Sequence, residues 1–161
     1  MFRISSGVRL ALCAACLSAV TALAQRPIPL SGPVPPAIHA AKKIFLSNAV
    51  DISGNYSGGP TRAYDMFYAA LKANSQFEMV SDPSDADLVL ELHIVHANSL
   101  SAIFKLVIYD CKSHYVLWTL SESVDLAQLQ SNRDSNFDKA LSALIGDFQT
   151  LTGKSPTPAT H

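Results

Sequence analysis

Three clusters in the 161-residue chain have residue types and spacing that chemistry can use. Glu91, His93 and His96 combine a carboxylate with two imidazoles, the donor set of a zinc site. The segment is apolar and alternating, so it reads as a strand. Residues three apart on a strand point to opposite faces, so His93 and His96 cannot share an ion. Glu91 and His93 do share a face, but two ligands fall short of the three or four that zinc takes. Asp82, Asp85 and Asp87 suggest calcium, yet Ser84 and Ala86 stand where an EF-hand alternation would want acids. Turn and capping roles are expected for these aspartates. Ser57-Gly58-Gly59-Pro60 could offer backbone N–H groups to an anion, but it reads as a strand-to-helix loop. The chain has no G-x-S-x-G, H-E-x-x-H, P-loop or G-x-G-x-x-G pattern. No catalytic residue, metal site or cofactor is assigned from the sequence.

Composition narrows the function classes. Twelve Lys and Arg against 13 Asp and Glu give almost no net charge, which removes the footprint of a nucleic-acid binder or a polybasic membrane-surface protein. With 48% hydrophobic and 16% charged residues, the chain is too apolar to be disordered. Its length suits one domain that folds without disulfide or metal staples.

The N-terminus reads as a secretory signal peptide over residues 1–24. Arg3 and Arg9 precede the apolar run LALCAACLSAVTAL, which ends in Ala22-Leu23-Ala24. The run is shorter than the ~20 residues a membrane span needs, so no transmembrane span is expected after cleavage. Export places the protein in the periplasm or outside the cell. Attachment of lipid at Cys16 is the alternative, although no Leu stands three places before it. Cleavage leaves ten basic against 13 acidic residues, a formal charge of −3, with Cys111 as the one remaining cysteine. A lone thiol of this kind is expected to be buried. Residues 25–36, QRPIPLSGPVPP, read as a proline-rich linker, 37–154 as a single domain, and 155–161 as a frayed tail.

Within the domain, Ala41–Leu46 is a short strand, and Asn48–Pro60 a loop rich in Gly, Asn and Ser. Thr61–Asn74 is a helix with a stripe of Tyr64, Phe67, Tyr68 and Leu71, capped by Thr61. Phe77–Val80 is a strand, and Ser81–Asp85 a turn around Pro83. Asp87–Ala97, Leu100–Asp110 and Tyr115–Val124 are longer strands whose short links predict hairpins. A last helix from about Ser135 to Thr152 carries Phe137, Leu141, Leu144, Phe148 and Leu151, and Gly153 stops it. The expected fold is α+β: a two-layer sandwich of about five mainly antiparallel strands, with two amphipathic helices on one face. Trp118 and the Tyr64/Phe67/Tyr68 stripe are expected in the core rather than in a ligand cage.

Two segments carry a resemblance: DPSDADLVLELHI, with Ala86-Asp87-Leu88, and KLVIYDCKSHYVLW, with Asp110-x-Lys112 and Trp118. Together with the flanking helices they resemble small exported bacterial envelope proteins, among them CsgG-like proteins and the N-terminal domain of TolB. The resemblance spans roughly residues 41–151. It implies an α+β scaffold with no catalytic residues to carry over. His114 stands where that pattern has Gly, a turn position that His can still occupy.

The functional expectation is a non-catalytic envelope-associated binding or scaffold module, partnered by an envelope protein or by a second copy. The alternative is a small hydrolase or metal-dependent enzyme without a recognisable motif. Two helices cover one sheet face only, yet Leu100–Asp110 is apolar on both sides. The expected partner surface is therefore Ile103, Val107, Tyr109, Val89 and Val95.

Overall fold

The computed structural model describes residues 32–49, 56–74, 76–98 and 101–153. The expected signal peptide, residues 25–31 of the linker and the tail lie outside the described residues.

A short helix α1 (Pro36–Ala40) leads into strand β1 (Lys43–Ala49). Helix α2 (Arg62–Ala73) crosses to a two-residue strand β2 (Glu78–Met79). A 3₁₀ turn (Pro83–Asp85) then opens the meander β3 (Leu88–Asn98), β4 (Ser101–Asp110) and β5 (Val116–Val124). Helix α3 (Gln130–Leu151) closes the chain. The strands form one mixed sheet in the order β2-β1-β3-β4-β5. β1 is parallel to both β2 and β3, whereas the β3-β4-β5 pairs are antiparallel. The parallel pairs follow from α2, because a helical crossover returns the chain to the end of the sheet where it began.

Strand alternation decides the core. Leu88, Leu90, Leu92 and Ile94 of β3 are buried, as are Ala102, Phe104, Leu106 and Ile108 of β4, beside Ile44 and Leu46 of β1. Phe67 and Leu71 of α2, Ile38 of α1, and Phe137, Leu141, Leu144, Phe148 and Leu151 of α3 join the same cluster. All three helices therefore lie on one side, as a two-layer α+β fold requires. Phe137 meets Phe104 edge-on with ring centres 4.9 Å apart, and Phe148 lies 5.8 Å from Phe77. Tyr64, Tyr68 and Trp118 are half-buried against this core. Helix α3 lies chiefly over β5, so the outer long strand is shielded on its helix side.

Local differences from the sequence reading have physical causes. Helix α3 begins five residues before Ser135, because its polar first turn shows no apolar period. Side-chain bonds hold it instead: Arg133 donates to the Gln128 carbonyl at 2.6 Å, and Gln130 to Asp134 at 3.1 Å. Thr61 does not cap α2, since its backbone is already helical and its hydroxyl makes no capping bond. Helix α1 begins at the last residue of the expected linker and runs into the domain, an element that the sequence reading did not assign. Pro36 is its first residue, where the missing N–H costs nothing. Gly153, with φ +66, ends α3 as expected.

Candidate docking surface on the sheet

The helix-free face is a grid that the strand register defines. Its lowest rung holds Phe45, Val89, Tyr109 and Val116. Above come Ser47, Glu91, Val107 and Thr119, then Ala49, His93, Lys105 and Ser121, then Val95, Ile103 and Ser123. Val89, Val95, Ile103, Val107 and Tyr109 thus all lie on this one face. They do not form one patch. Val95 and Ile103 sit at one end and Val89 and Tyr109 at the other, with two mainly polar rungs between. Val107 is only 6% exposed, although no helix of the described residues covers it. Its rung neighbours are Glu91 and Thr119. Val95 is 46% exposed and Val116 54%.

Phe45 and Val116 complete the lowest rung, and the sequence reading missed both. They come from β1 and β5, and only the register aligns them with Val89 and Tyr109. At β5 a bulge shifts that register: Ile108 faces Trp118 while Tyr109 faces Val116, leaving Leu117 as the extra residue. The adjoining Tyr115, just before β5, is 74% exposed.

The polar centre of the face is a small network. Glu91 Oε2 accepts from the Tyr109 hydroxyl at 3.0 Å and lies 3.1 Å from His93 Nε2. The hydrogen bond to Glu91, and then burial, raise the Tyr109 pKa above that of a free phenol. The shared face of Glu91 and His93 is as the alternation demands, and His96 falls outside the side chains described. The group lies on an open sheet surface, and its carboxylate is already engaged. Among the described residues, no three His, Cys, Asp or Glu side chains gather as metal ligands.

The remaining sequence candidates hold the fold together. Asp87 Oδ2 accepts from the backbone N–H groups of Lys42 and Lys43 at 2.8 and 2.9 Å, pinning the start of β1 to β3. These bonds lower its pKa. Asp82 accepts from Ser84 N–H at 2.8 Å and so caps the 3₁₀ turn. Asp110 Oδ2 accepts from both the N–H and the hydroxyl of Ser113 at 2.7 Å, which shapes the β4–β5 turn and lowers the Asp110 pKa. In that turn His114 takes φ +59, the left-handed conformation that explains why the related pattern has Gly there. Cys111 is half-exposed rather than buried: the turn aims its sulfur at the Pro83 carbonyl, 3.0 Å away.

The glycine loop before α2 receives an anion, but the anion is the protein's own. Ser57 N–H and hydroxyl donate to Asp134 at 2.9 and 2.7 Å, and these bonds lower the Asp134 pKa. Arg62 reaches Asp134 at 3.4 Å and Asp138 at 2.6 Å, with its guanidinium 4.9 Å from the Phe137 ring centre. The cluster fastens loop and α2 to α3. Gly58, at φ +94, is required here, since a Cβ would sit 2.9 Å from Arg62 Cδ.

No protein-family model matches the chain, and no curated protein matches it. Several solved structures resemble it in outline. The PelC dodecamer from Paraburkholderia phytofirmans is 15% identical, with 78% of this chain and 94% of that chain covered and a TM-score of 0.46. The LpoB C-terminal domain from Salmonella enterica is 13% identical, with 52% and 82% covered and a TM-score of 0.41. TolB from Acinetobacter baumannii is 18% identical, with 70% and 29% covered and a TM-score of 0.41. Likeness of this order fixes neither a family nor an activity. Among the described residues no helix is long and apolar enough to cross a membrane.

Proposed function

We propose that the chain is an exported, non-catalytic binding module that docks a protein of the cell envelope on the helix-free face of its sheet. One observation carries this reading: apolar residues from four strands, Phe45, Val89, Ile103 and Val95 among them, share a face that no helix of the described residues covers. A sheet face turned to water ordinarily alternates to polar residues. Here two apolar rungs flank a polar centre, as in an interface with separate anchors and hydrogen-bonding groups between them. The basic start, short apolar run and A-x-A ending of residues 1–24 support export, with Gln25 as the mature N-terminus.

Crosslinking and co-purification from intact envelopes test the docking surface. Ile103→Lys together with Val95→Lys should leave a folded protein that recovers at least tenfold less of its partner. Undiminished recovery by this variant would remove the face from the account. N-terminal sequencing of the exported protein tests the processing. A chain starting at Gln25 is expected, and one retaining Met1 or acylated at Cys16 would contradict it.

A further inference from the structure

The helix-free face carries residues in an order that matches itself when reversed: an apolar rung, two mainly polar rungs, and an apolar rung. We propose that the partner docked there is a second copy of this chain, turned about a two-fold axis that runs across the strands between the second and third rungs. The second copy gives the docking reading above, on which it rests, a definite partner.

Such an axis lays each strand over its own counterpart and reverses the order of the rungs, so contacts are reciprocal. Packed sheets hold their strands within about 30° of each other, and the matching is therefore closest at the central strands β3 and β4. On β3, Val89 meets the second copy's Val95, and Glu91 meets the second copy's His93. On β4, Tyr109 meets the second copy's Ile103, and Val107 meets the second copy's Lys105. The apolar ends thus cover each other, the stem of Lys105 covers Val107, and the polar centres face each other. An interface with a polar centre needs its charges matched, and these are. Lys105 is exposed and, among the described residues, makes no ion pair. Glu91 is engaged by Tyr109 and His93 through Oε2, and its side chain is still 32% exposed. Neighbours on one rung stand about 5 Å apart, so an ammonium laid over Val107 comes within reach of Glu91 beside it. Each copy brings one carboxylate and one ammonium to positions where the other copy brings the opposite sign.

Area sets the strength of the pair. Four strands and four rungs make a face of about 20 by 25 Å. Two such faces bury about 1,000 Å² in total, the lower end for a specific interface, so the dimer is a weak and reversible one. A second copy added along the β5 edge fits less well. Continuing the sheet through β5 would bring two α3 helices, each lying over its own β5, to within one strand spacing of each other. Packed helices need about 8–10 Å between their axes.

Sedimentation equilibrium and isotope-filtered NOE spectroscopy on the exported protein test the proposal. The wild type should pass from monomer to dimer between about 10 μM and 1 mM, as a small interface implies. Glu91→Lys and Lys105→Glu should each require at least tenfold more protein, because like charges then face each other. An equimolar mixture of these two variants should regain wild-type dimerisation, since each supplies the charge that the other lacks. In a mixture of labelled and unlabelled wild type, NOEs are expected between the Val89 methyls of one molecule and the Val95 methyls of another. Within one chain these residues stand six apart on β3, about 20 Å, too far for such a contact. A wild type that is monomeric at about 1 mM would overturn the proposal. So would a dimer without that NOE, or a charge-swapped mixture that stays monomeric. A monomer whose envelope partner is still lost by Ile103→Lys with Val95→Lys would overturn the second copy and leave the docking face standing.

Discussion

The two faces of β4 make opposite use of similar residues. On the helix side, Phe104, Leu106 and Ile108 are fully buried beneath α2 and α3. On the other side, Ile103 and Tyr109 remain half-exposed, and Val107 is buried with no helix of the described residues over it. Apolar character alone does not make a core. The closed face has a second layer with matching rings, such as Phe137 and Phe148. The open face has apolar rungs separated by Glu91, His93 and Lys105, whose polar atoms need water or a partner such as the Tyr109 hydroxyl. Burial on the first face stabilises the fold, and exposure on the second leaves surface for binding.

The largest effects should come from the closed face. Phe137→Ala, at the junction of Phe104, Tyr56 and Arg62, should cost about 3–5 kcal/mol in urea unfolding. Leu141→Ala and Phe148→Ala should fall between about 2 and 5 kcal/mol. A loss near that of an exposed site, below about 0.5 kcal/mol, would mean that α3 does not close this face.

Asp87 belongs to the rim shared by both faces. Asp87→Ala leaves two backbone N–H groups without their partner and should cost about 1–3 kcal/mol. Its pH dependence has a definite sign. The folded pKa values of Asp87, Asp110 and Asp134 lie below the usual carboxylate value, so at low pH the unfolded chain binds more protons. Their stabilisation is complete above the unfolded pKa of about 3.9 and is lost as pH falls below it, through the folded values. Urea midpoints measured from pH 6 down to 2.5 should fall in that window, and less steeply in Asp87→Ala.

Smaller effects are expected in the β4–β5 turn and on the open face. His114→Val should cost about 1–2 kcal/mol, because a β-branched residue tolerates the left-handed backbone poorly. His114→Gly should stay within about 1 kcal/mol of wild type, since relief of strain offsets the entropy that glycine loses on folding. Tyr109→Phe removes one partly exposed hydrogen bond and should cost less than about 1 kcal/mol. Ultraviolet titration should show two phenols, Tyr56 and Tyr109, ionising above the normal tyrosine range in wild type, and one of them missing in Tyr109→Phe.

Much of the fold was legible because the alternation of β3 and β4 and the Phe137-to-Leu151 stripe of α3 are strong periodic signals. The five partner-surface residues were placed on one face for the same reason. What alternation cannot carry is register across strands distant in sequence. Phe45 pairs with Val89 across a parallel ladder, and Val116 reaches Tyr109 only through the Leu117 bulge, so the apolar band could not be read ahead. The bonds of Ser57 and Arg62 to Asp134 were hidden likewise, because they join residues more than 70 positions apart. Short-range chemistry did show: Asp82 before Pro83 reads as a cap, and His114 at a glycine position reads as a left-handed turn.

The central claim is that only one face of this sheet is closed. Urea unfolding of Leu106→Lys beside Ile103→Lys tests it most directly, because the two residues lie three apart on β4 and point to opposite faces. The account predicts that Leu106→Lys, which buries an unpaired charge, loses at least about 3 kcal/mol or fails to fold, while Ile103→Lys stays within about 1 kcal/mol of wild type. Equal, large losses in both would show that the second face is also internal and would contradict the docking surface.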